Sequence, residues 1–296
     1  MAQAHNGRIA LEYETFGSSG TPLLLISGTG VQMLIWPDAF CEALVARGFH
    51  VARFDNRDTG LSTHLDGAST PSMFTAMLRP ATAPYRLAEM ADDAVAVMDA
   101  LGWPAAHIVG SSLGGMIAQE LALRHPSRVL TLTSMMSTCS ARIATMPTKA
   151  VMNALKTLDG TPVRDAEDAG DRALALKRVM GAGGYPLDEQ LIRDIGRRSY
   201  LRCPDDDEAD RRQRVAMIAS GDRRKRLGRV RVPTLVIHGE KDPVIGVKGG
   251  RATARAIPGA RLRIFPEMAH DLPSALWPDV IDEIASLTTA QTPAPR

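Results

Sequence analysis

Cysteine is scarce in this chain: Cys41, Cys139 and Cys203 are the three in 296 residues, too few and too far apart for a disulfide framework. They form no CxxC or Cys/His cluster, so no zinc site is expected, and a reduced, cytoplasmic setting is. Charge of one sign is lacking as well. With 35 basic against 33 acidic residues the formal net charge is +2, which supplies no field to gather nucleic acid or an anionic membrane. No apolar run approaches the ~18 residues of a membrane span. The N-terminal MAQAHNGRIALEYETFG has neither the basic start nor the apolar middle of a signal peptide. Aromatic residues make up only 4%, so bulky apolar contacts fall to aliphatic side chains and to the 14 methionines. The partner these absences leave is a small molecule, with neither nucleic acid nor membrane. What is plentiful is core material: 45% of residues are hydrophobic and 23% charged, enough for one large domain with an inserted subdomain.

Arg8 to Phe16 alternates apolar and polar side chains, the pattern of a half-buried antiparallel strand near a sheet edge. The later runs Leu23–Ile26, Val51–Phe54, His107–Val109, Val129–Leu132, Thr234–Ile237 and Leu262–Phe265 are short and mainly apolar, as expected for strands covered on both faces. Helical patterns lie between them at Asp38–Arg47, Leu87–Leu101, Met116–Arg124 and Trp277–Leu287. Gly48 and Gly102 stand just past two helix ends. Strand alternating with helix gives an α/β fold with a mostly parallel sheet, whose active site belongs beyond the carboxyl ends of the strands. Two stretches interrupt it. Ser62 to Arg86 is a long connection expected to overhang the site. Residues 139–222 carry four helical patterns and no buried strand, which predicts a helical cap inserted into a core of residues 1–138 and 223–296. The acidic 205–210 and arginine-rich 211–231 stretches read as a solvated cap helix and linker, given the small net charge.

Gly110-Ser111-Ser112-Leu113-Gly114 fits GxSxG, with the strand-like HIVG before it and a helix-like segment after. A sharp strand-to-helix turn lifts the central serine clear of the backbone, and the flanking glycines leave room for it. A serine hydroxyl is a weak nucleophile until a base takes its proton, and the base needs an acid to hold its tautomer. Thr234-Leu-Val-Ile-His-Gly-Glu-Lys-Asp242 is a strand running into a turn that carries an acid, and Arg261 to His270 is a strand followed by a loop histidine. Asp242 and His270 are therefore the candidate acid and base for Ser112. His238 and Glu240 compete because they share the strand end with Asp242. Asp271 is chain-adjacent to His270 and cannot easily face its ring. For the oxyanion, the backbone N–H of Leu113 is one candidate donor and that of Thr29, in Ser27-Gly28-Thr29-Gly30, the other. Taken alone, SGTG is simply a tight turn.

These motifs, together with FDNRDTGLS (Phe54 to Ser62) and PEMAHDLP, resemble the α/β-hydrolase superfamily in content and order. IWPDAF and DNRDTGLST resemble the aclacinomycin methylesterase type within it and, more distantly, the cofactor-free haloperoxidases and esterases. The resemblance implies an α/β-hydrolase fold and a serine esterase with nucleophile Ser112, acid Asp242, base His270 and oxyanion donors Thr29 and Leu113, needing no cofactor and no metal. Ser112 stands where dehalogenases and epoxide hydrolases of the superfamily carry aspartate, which argues against both. FDNRDTGLS is implied to brace the site without taking part in catalysis. Ser27 departs from the histidine that many members place before the oxyanion-loop glycine. Trp36 and Met136 are candidate substrate contacts, Trp36 being equally a hydrophobic anchor at a helix start. Methionines in the cap and long connection, Met73, Met77, Met152, Met180 and Met217 among them, suit a bulky apolar ester or lactone of polyketide or macrolide type. Carbon–carbon bond or enol-lactone hydrolysis and perhydrolysis use the same triad. A small-molecule receptor that keeps the triad is the alternative from another class.

Overall fold

The computed structural model describes residues 2–140, 147–159, 163–181, 183–204 and 207–289. Eight strands form one sheet: β1 (Ala2–Asn6), β2 (Ile9–Phe16), β3 (Thr21–Ile26), β4 (Phe49–Phe54), β5 (Ala106–Ser111), β6 (Val129–Met135), β7 (Thr234–Gly239) and β8 (Arg261–Phe265). Their order across the sheet is β1-β2-β4-β3-β5-β6-β7-β8. The first hairpin is antiparallel and β2 runs antiparallel to β4, while every pairing from β4 to β8 is parallel. The helices are α1 (Asp38–Val45), α2 (Met73–Leu78), α3 (Leu87–Ala100), α4 (Leu113–Arg124), α5 (Lys149–Asp159), α6 (Ala166–Met180), α7 (Glu189–Arg202), α8 (Asp207–Ala219), α9 (Arg224–Leu227), α10 (Lys248–Ala256) and α11 (Trp277–Thr289).

The apolar strands are continuous because both faces are covered. In β3, Leu24 and Ile26 join the cluster packed with α3 and α4, and Leu23 and Leu25 join the opposite cluster with Phe40, Leu44, Val280 and Ile284 of α1 and α11. That two-residue alternation sends neighbours to opposite sides of the sheet. Strand β1 has no comparable signal: of AQAHN only Ala4 is buried, and the segment is a strand because it pairs with β2 in register from Ala2 to Asn6. Helix α4 starts at Leu113, three residues before the apolar pattern that marks it in the sequence, because the small residues Gly114 and Gly115 carry no periodicity.

Among the described residues, five helices, α5 to α9, lie between β6 and β7, a stretch of which residues 141–146, 160–162, 182 and 205–206 lie outside the described set. The long connection after β4 contains α2, whose Ala76 packs with Val215 and Ala219 of α8. Phe54 to Ser62 is tied down throughout. Asp58 receives a two-point bond from Arg212 of α8, and Arg57 reaches Asp93 of α3 through Nε at 2.6 Å and a terminal nitrogen at 2.7 Å. Both members of the Arg57–Asp93 pair are buried. Asp93→Ala should therefore strand a buried guanidinium, costing about 3–5 kcal/mol. A thermal melt followed by circular dichroism should shift down by roughly 10 °C.

Candidate active site

Ser112 sits between the last residue of β5 and the first of α4 with φ 54° and ψ −118°, a left-handed value that non-glycine residues rarely hold. Its N–H donates to Met135 O at 2.8 Å and its carbonyl accepts from Ser137 Oγ at 2.7 Å, which pins the strained turn from β6 and the loop beyond it. The turn fits only because Gly114 lacks a side chain: a Cβ there would stand 2.1 Å from Ile26 O. Close packing of α4 on the end of β3 brings the following loop to the nucleophile. A Cβ placed on Gly28 would lie 3.4 Å from Ser112 Cβ.

His270, in the loop after β8, faces Ser112 Oγ with Nε2 at 3.2 Å and Asp242 Oδ2 with Nδ1 at 2.8 Å. Its backbone N–H is held by Met180 O at the end of α6. Asp242 follows β7, and its other oxygen accepts the N–H groups of Val244 at 2.9 Å and Ile245 at 2.8 Å. Burial alone would raise the Asp242 carboxyl, but the imidazoles of His270 and His238 outweigh it and hold the group at about 2. The three side chains that the sequence singles out from separate strand ends thus meet in one hydrogen-bonded line.

The competitors fall elsewhere. Asp271 is ion-paired with Lys177 of α6, and exposed Glu240 faces Arg251 at 3.9 Å. His238, fully buried, donates from Nε2 to Ile245 O at 2.7 Å, and the same nitrogen lies 3.3 Å from Asp242 Oδ2. A carbonyl can only accept, so Nε2 carries the proton and His238 buttresses Asp242 at the same oxygen that His270 engages. Trp36 is buried in the sheet-face cluster that also holds Met136, and stacks on Phe40 with ring centroids 5.7 Å apart. That packing is the helix-start anchor. Met136 has φ 47°, and its N–H donates to Ile237 O at 2.9 Å.

Among the described residues, neither Thr29 N–H nor Leu113 N–H has a hydrogen-bond acceptor. Leu113 opens a helix, where N–H groups lack intrahelical partners and the dipole favours negative charge. With Ser27 Oγ buried and unbonded, the loop is held by other residues: Asn56 Nδ2 donates to Ser27 O at 3.1 Å, and Asp55 accepts Met33 N–H at 2.7 Å. Gly30 N–H donates to Gln213 Oε1 at 2.9 Å, from α8. Sequence reasoning passed over Gln213, since one glutamine in a polar helix gives no signal, and over Asn56, whose neighbours in FDNRDTGLS marked only a brace.

Comparison with known proteins identifies the family. The sequence profile of the alpha/beta hydrolase fold family matches residues 21–273, and the chain belongs to that family. It is 32% identical to the rhodomycin D methylesterase DnrP of Streptomyces peucetius, over 97% of both chains. To the rhodomycin D methylesterase DauP of Streptomyces sp. strain C5 it is 33% identical, over 92% of both chains. Among solved structures, the enol-lactonase from Burkholderia xenovorans LB400 superposes with a TM-score of 0.72 at 22% identity, covering 97% of this chain and 100% of that one, a likeness of fold. No helix among the described residues is long and apolar enough to cross a membrane.

Proposed function

We propose that this member of the α/β-hydrolase family is a serine hydrolase that cleaves a carboxylic ester or lactone through an acyl-enzyme on Ser112. The observation that carries the reading is the line Ser112 Oγ, His270, Asp242, with distances of 3.2 and 2.8 Å on opposite ring nitrogens. With Nδ1–H donated to Asp242, the Nε2 lone pair of His270 takes the Ser112 proton as Oγ attacks the carbonyl carbon. The oxyanion forms against Thr29 N–H and Leu113 N–H. As it collapses, His270 returns the proton to the departing alkoxide and the alcohol leaves. Water, deprotonated by His270, then adds to the acyl carbon, and the acid departs with the proton back on Ser112. The carboxylate of Asp242 stays ionised throughout and stabilises the imidazolium.

Residues 139–222 serve as a cap over a core made of 1–138 and 223–296, and the substrate is a bulky hydrophobic ester, a polyketide methyl ester or macrolactone. Two supports converge on that substrate class: the methionines of the cap and long connection in a chain poor in aromatics, and two relatives named as methylesterases of rhodomycin D. Trp36 and Met136 form the floor of the acyl side. The three free cysteines fit a reducing cytoplasm.

Methyl esters graded from acetate through naphthoate to polycyclic aromatic carboxylates, with macrolactones alongside, test the substrate class by released methanol or acid. kcat/KM should climb at least ~10-fold from the smallest to the polycyclic acyl groups, about 1.4 kcal/mol of added transition-state binding. A maximum at acetate overturns the bulky-substrate reading.

A further inference from the structure

The candidate oxyanion loop is gripped from the cap at two points after Thr29. Downstream of it, Gln32 Nε2 donates to Ser199 O and Cys203 O, both at 2.9 Å, at the carboxyl end of α7, and Gln32 Oε1 accepts from Arg202 at 2.5 Å. Beside it, Gln213 of α8 is fully buried, and each of its amide atoms is committed. Oε1 accepts Gly30 N–H at 2.9 Å, and Nε2 donates to Arg57 O at 2.8 Å and Thr59 Oγ1 at 2.7 Å. An N–H partner on one side and a carbonyl on the other allow a single orientation of the amide. Gly30 has φ +64°, and Asp210 of the same helix lies 2.7 Å from where its Cβ would stand. Helix α8 therefore seats on the backbone immediately after Thr29, and the amide plane between Thr29 and Gly30 is fixed by a cap residue. From the core, Asn56 Nδ2 holds Ser27 O on the other side of Thr29, while Ser27 Oγ itself is unbonded.

We infer that Gln213 is a positioning residue for oxyanion stabilisation, so that the Thr29 donor is fully aimed when the cap is seated on the core. The inference rests on the hydrolase reading above. Oxyanion donors work by fixed aim, and a displacement of about 1 Å can cost on the order of 10²-fold in rate.

The test compares wild type with Gln213→Met, which keeps the volume and loses every bond, and Gln213→Glu, which keeps an acceptor for Gly30 N–H. Hydrolysis of para-nitrophenyl butyrate is measured together with inhibition by a phenylethyl trifluoromethyl ketone, whose adduct with Ser112 places an oxyanion in the hole. Gln213→Met should lose about 10- to 100-fold in kcat with KM within ~3-fold, and ketone affinity should fall by a similar factor. Gln213→Glu, which as the buried neutral acid presents a carbonyl oxygen to Gly30 N–H and an O–H to Arg57 O, should recover most of both. Arg211→Ala, on the exposed side of α8, should match wild type. If Gln213→Met does not fold, Gln213→Asn, one methylene too short to span Gly30 and Arg57 together, takes its place with the same expectation. A folded Gln213→Met with wild-type kcat and ketone affinity overturns the inference alone, as does an equal loss of kcat in both variants with ketone affinity unchanged. A wild type that neither cleaves the ester nor binds the ketone overturns the hydrolase reading and the inference with it.

Discussion

Ser112→Ala is expected to lower kcat for ester hydrolysis on the order of 10⁶-fold while leaving the melting temperature within a few degrees of wild type. The loss is large because, among the described residues, no other hydroxyl is offered to His270 Nε2, which faces Ser112 Oγ at 3.2 Å. The stability change is small because the pins of the strained turn are backbone groups, Ser112 N–H to Met135 O and Ser112 O from Ser137 Oγ, which survive the substitution. Alanine still has to hold φ near 54°, but that strain is already present with serine. Residual turnover above water would come from the N–H groups of Thr29 and Leu113 and from substrate binding. Initial rates on para-nitrophenyl butyrate, beside a thermal melt of the same samples, separate the two effects.

Asp242→Asn should be nearly as damaging, on the order of 10⁴-fold in kcat, through the wrong tautomer. The amide oxygen would keep the N–H groups of Val244 and Ile245, whose present distances of 2.9 and 2.8 Å are those of ordinary hydrogen bonds. The amide nitrogen would then face His270 Nδ1. That ring nitrogen must accept, Nε2 must carry the proton, and Ser112 loses its base. The same amide nitrogen would meet the Nε2–H of His238, already committed to Ile245 O, so two donors would oppose each other. The pH dependence has a defined sign. Asp242 is held at about 2 against an ordinary 3.8, so its ionised form stabilises the fold above pH 4, and that contribution is lost as pH falls toward 2. The stability difference between wild type and Asp242→Asn should therefore shrink in that window and be constant above it, as denaturant titrations across the acid range would show.

The candidate site was legible wherever chemistry coincides with the end of an apolar strand. Ser112 and Asp242 each follow a strand that is buried along its length, whereas His270 follows β8, an edge strand whose Arg261 and Arg263 are exposed; the parallel sheet delivers all three ends to one side. The same logic located the core helices, since burial on one face writes a periodicity that sequence preserves. It failed where position depends on pairing alone. Strand β1 is polar and short, and only its register against β2 defines it. It failed too where a polar side chain acts at long range: Gln213 and Gly30 are 183 residues apart, and nothing local to either announces the bond. His238 was visible as a neighbour of Asp242, but its role as a buttress depends on the turn that folds Ile245 O back to it. Trp36 admits two readings in the sequence, and its stacking on Phe40 accounts for the part it plays in the core.

The most direct test of acyl-enzyme formation on Ser112 is covalent labelling with a fluorophosphonate, read by intact mass and by peptide mapping. A single adduct on the peptide containing Ser112, formed in step with loss of esterase activity and absent from His270→Ala and Ser112→Ala, is the expected result. An adduct on another residue, or a folded Ser112→Ala variant that hydrolyses esters as fast as wild type, would contradict it.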